Sequence, residues 1–214
     1  MTRTIDTQTE LDDALSLGGD VEFIPGAGSD LTVGQGQARV HGPGTLTAVN
    51  DGCVSTSGDI CITSVTGGTV YAFEQATIEE VTGGIVTAYD RSMIDTVNGG
   101  QVTARDETMI GTVNGGHVVA EAQAAISTVN GGDVYANDQA TILTVTGGNV
   151  TATGNATITA VSGDARVTID AGGSGVHVDA YDAAHITADS GTVTVHSPDV
   201  TVTSNGDAII NNEY

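Results

Sequence analysis

Between Val65 and Ala160 the chain falls into six rows of sixteen residues without a gap, from VTGGTVYAFEQATIEE to VTGGNVTATGNATITA. Five columns of this alignment are apolar or small. The first is Val from Val65 to Val145, the sixth is Val from Val70 to Val150, and the eighth is Ala from Ala72 to Ala152. The twelfth holds Ala76, Ser92, Thr108, Ala124, Ala140 and Ala156, and the fourteenth is Ile from Ile78 to Ile158. Within a row the inward candidates recur at a spacing of two, the mark of a strand, because alternate side chains point to opposite faces. Val, Ile and Thr favour strands too, and no helical spacing competes.

Each row is thus two octads, each bringing one strand inward. Two short strands per row can be buried only if each turn of chain lies on the one before, so the columns become ladders with coils about 4.8 Å apart. Gly67 and Gly68 mark the tight corner of the first row, and Gly83 and Gly84, Gly99 and Gly100, Gly115 and Gly116, Gly131 and Gly132, and Gly147 and Gly148 repeat it. A positive φ there is inexpensive only for glycine. Asn98, Asn114 and Asn130 precede three of these pairs; they either form stacked amide ladders or simply tolerate the turn. The inward residues are small, so the interior is narrow and filled, with no lumen for a ligand. The pattern predicts an all-β, single-domain parallel β-helix with 16-residue coils, right-handed by the general preference for right-handed crossovers.

The ends read differently. Residues 1–20 form an N-terminal cap: Thr7 and Glu10 have capping-box spacing, Leu11, Ala14 and Leu15 make an apolar helical face, and Gly18-Gly19 can stop the helix. Such a helix covers the open end of the first coil, whose exposed edge would otherwise invite pairing. Residues 21–64 are irregular first coils, with Val21–Pro25 as the first strand and the period of sixteen traceable back from Val65 through Val49 to Val33. Residues 161–214 are octad-type coils. The segment SGDARVTIDAGGSG disturbs the phase, which resumes at Val178 and Ala180, Ile186 and Ala188, Val193 and Val195, and Val200 and Val202. No helix pattern covers Ala208 to Tyr214, so the last coil is blunt or covered by a partner.

Charge adds a candidate surface. The net charge is −22, with no Lys and five Arg. Spread over about a dozen coils this is roughly 0.4 charges per Å, against roughly 0.6 for duplex DNA. Column ten holds Glu74, Asp90 and Asp106 in successive coils and Asp138 further on, interrupted by Ala122 and Gly154. These four acids are the candidate interaction surface, and the alternative is an acidic coat that serves solubility. Nucleic acid and anionic membranes are disfavoured as partners. Among the 39% hydrophobic residues no run reaches the roughly 18 needed for a membrane span, and MTRTIDTQTE lacks a signal-peptide core.

Chemistry-bearing residues are sparse. Cys53 and Cys61, eight apart, should face opposite sides of a coil, which disfavours a mutual disulfide, and there is no Cys-x-x-Cys zinc spacing. His41, His117, His177, His185 and His196 form no ligand pattern, with His177 and His185 expected on opposite faces. Asp90-Arg91 and Arg105-Asp106 bring acids and arginines into neighbouring coils, as a salt-bridged patch rather than a catalytic pair. Gly172 to Gly175 lacks the Asp of a calcium-binding nonapeptide, and Thr-x-Thr recurs too rarely for an ice-binding face. No catalytic, metal or cofactor site is expected.

The runs HVDAYDAAHITA (His177 to Ala188) and VTAYDRSMI (Val86 to Ile94) resemble the V-x-A-Y-D-S-A repeat of β-helical proteins encoded by actinobacterial phages. Coil length and V-x-G spacing are more loosely similar to bactofilins, and the TELDDAL…VEFIPG opening to capped pectate-lyase-like β-helices. The phage resemblance implies a non-catalytic structural or accessory protein of a virion, attached at capsid or tail. Its partners would be virion proteins, or further copies joined through the C-terminal edge. The alternative is an acidic DNA mimic that inhibits a DNA-binding enzyme in the host cytoplasm, and the third reading is a glycan-binding, adhesin-like module.

Overall fold

The computed structural model describes residues 2–18, 20–170, 172 and 175–214. It is an all-β solenoid with one short helix. The N-terminal elements are β1 (Arg3–Ile5), α1 (Gln8–Ser16), β2 (Asp20–Pro25), β3 (Thr32–Val33), β4 (Gln37–His41), β5 (Gly44–Val49), β6 (Cys53–Ser57) and β7 (Ile60–Val65). The regular coils supply β8 (Thr69–Ala72), β9 (Thr77–Val81), β10 (Ile85–Ala88), β11 (Met93–Val97), β12 (Gln101–Ala104), β13 (Met109–Val113), β14 (His117–Ala120), β15 (Ala125–Val129), β16 (Asp133–Ala136), β17 (Thr141–Val145), β18 (Asn149–Ala152) and β19 (Thr157–Val161). The last coils supply β20 (Arg166–Ile169), β21 (His177–Ala180), β22 (His185–Ala188), β23 (Thr192–Val195), β24 (Thr201–Ser204) and β25 (Ile209–Asn212). β1 and the even-numbered strands make a 13-stranded sheet, sheet 1, and the odd-numbered strands from β3 make a 12-stranded sheet, sheet 2. Every pairing is parallel, and Val86 lies between Val70 and Val102 in register.

The sixteen-residue period becomes vertical stacking, and the five small columns become the core. All their positions in the six rows are at most 1% exposed. Full burial of each Val or Ile contributes about 1.5–3 kcal/mol, and alanines opposite them let the two sheets approach closely. The register also runs back from Val65 through Val49 to Val33.

The double-glycine corners have two different causes. The second glycine carries the positive φ, as at Gly84 (75°). The first is glycine for lack of space: a Cβ at Gly83 would lie 2.3 Å from the Thr66 carbonyl oxygen of the coil beneath. The preceding column forms an amide ladder, with Asn130 Nδ2 donating to Asn114 Oδ1 (2.9 Å) and Asn114 Nδ2 to Asn98 Oδ1 (2.8 Å). Thr146 Oγ1 extends it by donating to Asn130 Oδ1.

α1 caps the coil stack. Thr7 and Glu10 make both bonds of the capping box, and Leu11, Ala14 and Leu15 are buried. Gly18, at φ 71°, follows the last turn and donates to Leu15 O; Gly19 of the expected stop lies outside the described residues. Two features of this end differ from the sequence reading. Val21–Pro25 lies in the second strand, not the first, because β1 precedes the helix and pairs Ile5 with Pro25. α1 therefore stands where a strand of sheet 2 would be, between two strands of sheet 1.

Beyond Val161 the coil is stretched rather than broken. β20 lies inside the segment expected to be out of phase and pairs Asn149 with Arg166, one residue beyond the regular period. The corner 162–165 now has four residues, with Gly163 at positive φ and Ala165 buried. Between β20 and β21, Ala171, Gly173 and Ser174 lie outside the described residues, the last two within the Gly172–Gly175 stretch that lacks a calcium-binding Asp. In β24 the inward residue is Val202, paired with Ile186, so Val200 belongs to the corner and the expected Val200–Val202 pair is shifted by two. β24 and β25 end their sheets. Among the described residues no helix is long and apolar enough to cross a membrane.

Candidate interaction surfaces

The column-ten acids sit at the corner between the two sheets. Glu74, Asp90, Asp106 and Asp138 all have φ between 56° and 63°, as does Ala122, and Gly154 completes the column at 67°. This left-handed conformation is one that Asp, Asn and Gly tolerate best. The carboxylates also cap the coil beneath: Asp90 Oδ2 accepts from Glu74 N (3.1 Å), Asp106 Oδ2 from Asp90 N (3.4 Å) and Asp138 Oδ2 from Ala122 N (3.4 Å). The structure thus brings the four predicted residues into one line and gives the aspartates a backbone-level cause that charge counting does not suggest. Asp182, in the second Tyr-Asp pair, has the same conformation (φ 50°).

Beside this line runs a stack that the sequence reading misses. The Phe73 and Tyr89 rings stack at 4.8 Å and the Arg105 guanidinium lies over Tyr89 at 5.9 Å. All three occupy column nine, so the alignment holds the signal. The arginines pair with glutamates of the next coil, Arg91 Nε with Glu107 (2.9 Å) and Arg105 Nε with Glu121 (3.0 Å). The expected salt-bridged patch therefore exists, with Glu rather than Asp as partners. Asp90, Arg91, Asp106 and Glu107 line a shallow groove of about 310 Å³ there.

The other candidates fall on both sheets. Cys53 is in β6 and Cys61 in β7, in different sheets, and both are free. Burial, then the Glu79 carboxylate, pushes the Cys61 thiol pKa up. His177 and His185 also lie in different sheets, in β21 and β22. Stacking does gather two histidines with acids: Asp179 Oδ1 lies 3.3 Å from His177 Nε2 and 3.6 Å from His196 Nε2, and Glu213 lies 3.6 Å from His196 Nδ1. Tyr181 stacks on His196. Sequence spacing hides this group because its members come from three successive coils. Among the described residues no group of three or more His, Cys, Asp or Glu is placed to hold a metal ion.

Large apolar side chains are also exposed on sheet 2, notably Met93, Met109 and Leu143. A groove of about 520 Å³, lined by Asp189–Thr192 and by residues between Asn205 and Ile209, is open to solvent. What these surfaces offer is ionic, hydrogen-bonding and stacking contact along a straight lattice. Compared with family models, curated proteins and solved structures, the chain matches none of them.

Proposed function

We propose that the protein is a rigid, non-catalytic structural or accessory component of a bacteriophage particle, attached at capsid or tail and working through its outer surfaces. The observation that carries this reading is the filled interior. Five inward columns, each at most 1% exposed through six coils, make a stiff rod with its binding capacity on the outside. The octad resemblance supplies the phage context. Partners on this reading are other particle proteins, or copies joined along β24 and β25.

The DNA-mimic alternative draws on the column-ten acids. Their left-handed corner geometry and bonds to backbone N–H groups account for much of that ladder without a nucleic-acid-binding target, which favours the structural reading. The test is mass spectrometry of purified particles with labelling of the protein on their surface. A fixed copy number per particle is expected. Absence from particles, together with salt-sensitive binding to a DNA enzyme, would overturn the proposal in favour of mimicry.

A further inference from the structure

From β6 onward the outer face of sheet 1 carries little of the chain's charge, most of which lies outside the strands. From β6 to β24 its outward residues include Tyr71, Ile85, Val119 and many threonines, and the only charged ones are Asp133 and Arg166. These two have opposite sign and lie in one column, with Asn149 between them in register. Two strand spacings, about 9.6 Å, separate their backbones.

Of the five arginines, Arg3 and Arg166 have no ion pair among the described residues. Arg39, Arg91 and Arg105 each pair with an acid of a neighbouring coil. Among the described residues Arg166 has no carboxylate partner, in a chain with 27 acids. Asp133 accepts from Asn149 Nδ2 through Oδ1 (2.9 Å), which leaves its other oxygen available.

We infer that two copies of this chain associate face to face through sheet 1, about a twofold axis that runs along β18. That operation keeps columns aligned and reverses the order of strands. It sets Asp133 of each copy against Arg166 of the other, and Asn149 and Thr151 against their own equivalents. No further pair brings a carboxylate or an arginine into the contact: His117 meets His185, Val119 meets Thr187, and Tyr135 meets Thr168. The charge argument selects the occupant. Copies carrying −22 each repel through their corners, and a face with no carboxylate or arginine outside its complementary pair is where they can meet. The overlap of seven strands, β12 to β24, covers about 900 Å² in total, below the standard interface, so the dimer is weak and reversible. This inference does not rest on the phage reading.

The test is sedimentation velocity of the full chain from about 10 μM to about 1 mM, the range in which so small an interface dissociates. The wild type should pass from monomer to dimer. Asp133→Arg alone places two arginines opposite each other, and Arg166→Asp alone places two aspartates; each should weaken association at least about tenfold. The doubly exchanged chain, with the wild-type net charge, should dimerise again. So should an equimolar mixture of the two single variants, in which both pairs are complementary. Circular dichroism checks that each variant folds. A wild type that stays monomeric throughout, single variants that dimerise like the wild type, or a mixture no more associated than its parts would each overturn the inference.

Discussion

The side-chain amide of Gln8 completes the edge of sheet 2 at Thr32: Nε2 donates to Thr32 O (2.9 Å) and Oε1 accepts from Thr32 N (2.7 Å). One side chain thus makes both bonds that a neighbouring strand would make. This is how a helix can stand in a strand's place without leaving the edge of β3 unpaired. Gln8→Ala should leave both Thr32 groups without a protein partner and lower stability by about 1–2 kcal/mol in denaturant unfolding. Gln8→Glu, which keeps the acceptor and loses the donor, should be destabilising too. No change in either variant would mean that Leu11 and Leu15 alone hold the cap.

Ala122 is the misfit of column ten. It adopts φ 56° with neither the local hydrogen bonding of an aspartate nor the freedom of a glycine. Ala122→Gly should therefore stabilise the protein by about 1 kcal/mol. Asp106→Val, a β-branched residue forced into the same conformation, should destabilise it by more than that. Equal stability of the two variants would remove the corner as the reason for these acids.

The coil was legible because Val70, Ala72 and Ile78 repeat without interruption, and a strand that buries every second residue leaves that trace. The cap was legible for the same reason in helical form, at Thr7, Glu10 and Leu11. β1 was not, since three residues with a single buried one, Ile5, have no period to show. The shift at Val202 escaped notice because the corner before β24 has an extra residue, and apolar spacing alone cannot tell a corner valine from a strand valine. On the surface, charge drew attention to Asp90 and Asp106, while the planar stack of Phe73, Tyr89 and Arg105 lay one column away. The cluster around Asp179 needs His196 from the next coil, where coil lengths depart from sixteen.

Two polar residues occupy the buried twelfth column and are treated differently. Ser92 Oγ donates within reach of Tyr89 O (2.7 Å) and Ala72 O (3.2 Å). Thr108 Oγ1 is buried with no partner. A buried hydroxyl without a hydrogen bond is a net cost, whereas a partnered one is near neutral. Thr108→Val keeps the shape, removes the orphan, and should raise stability by about 1 kcal/mol. Ser92→Ala should give no such gain. Thermal and denaturant melts of the two variants, measured side by side, distinguish them; a loss of stability in Thr108→Val would show that the hydroxyl is satisfied in solution.

The cap should also respond to acid. Glu10 accepts from the N–H groups of Asp6 (3.1 Å) and Thr7 (3.2 Å), and these bonds, Asp6 first, hold its carboxyl below the usual value of 4.5. A carboxylate whose pKa is lower in the folded state contributes stability above its unfolded pKa and loses it as pH falls through the folded one. The capping-box contribution should therefore be intact above about pH 4.5 and fade below it. Glu22 behaves in the same direction, through the Thr2 hydroxyl, so some acid sensitivity at this end is independent of Glu10. Amide exchange of residues 8–16, corrected for intrinsic rates, should show protection decreasing as pH falls below about 4.5. In Glu10→Gln, which cannot ionise, that decrease should be smaller than in the wild type. An identical pH profile in the two proteins would show that the capping box does not set the stability of the helix.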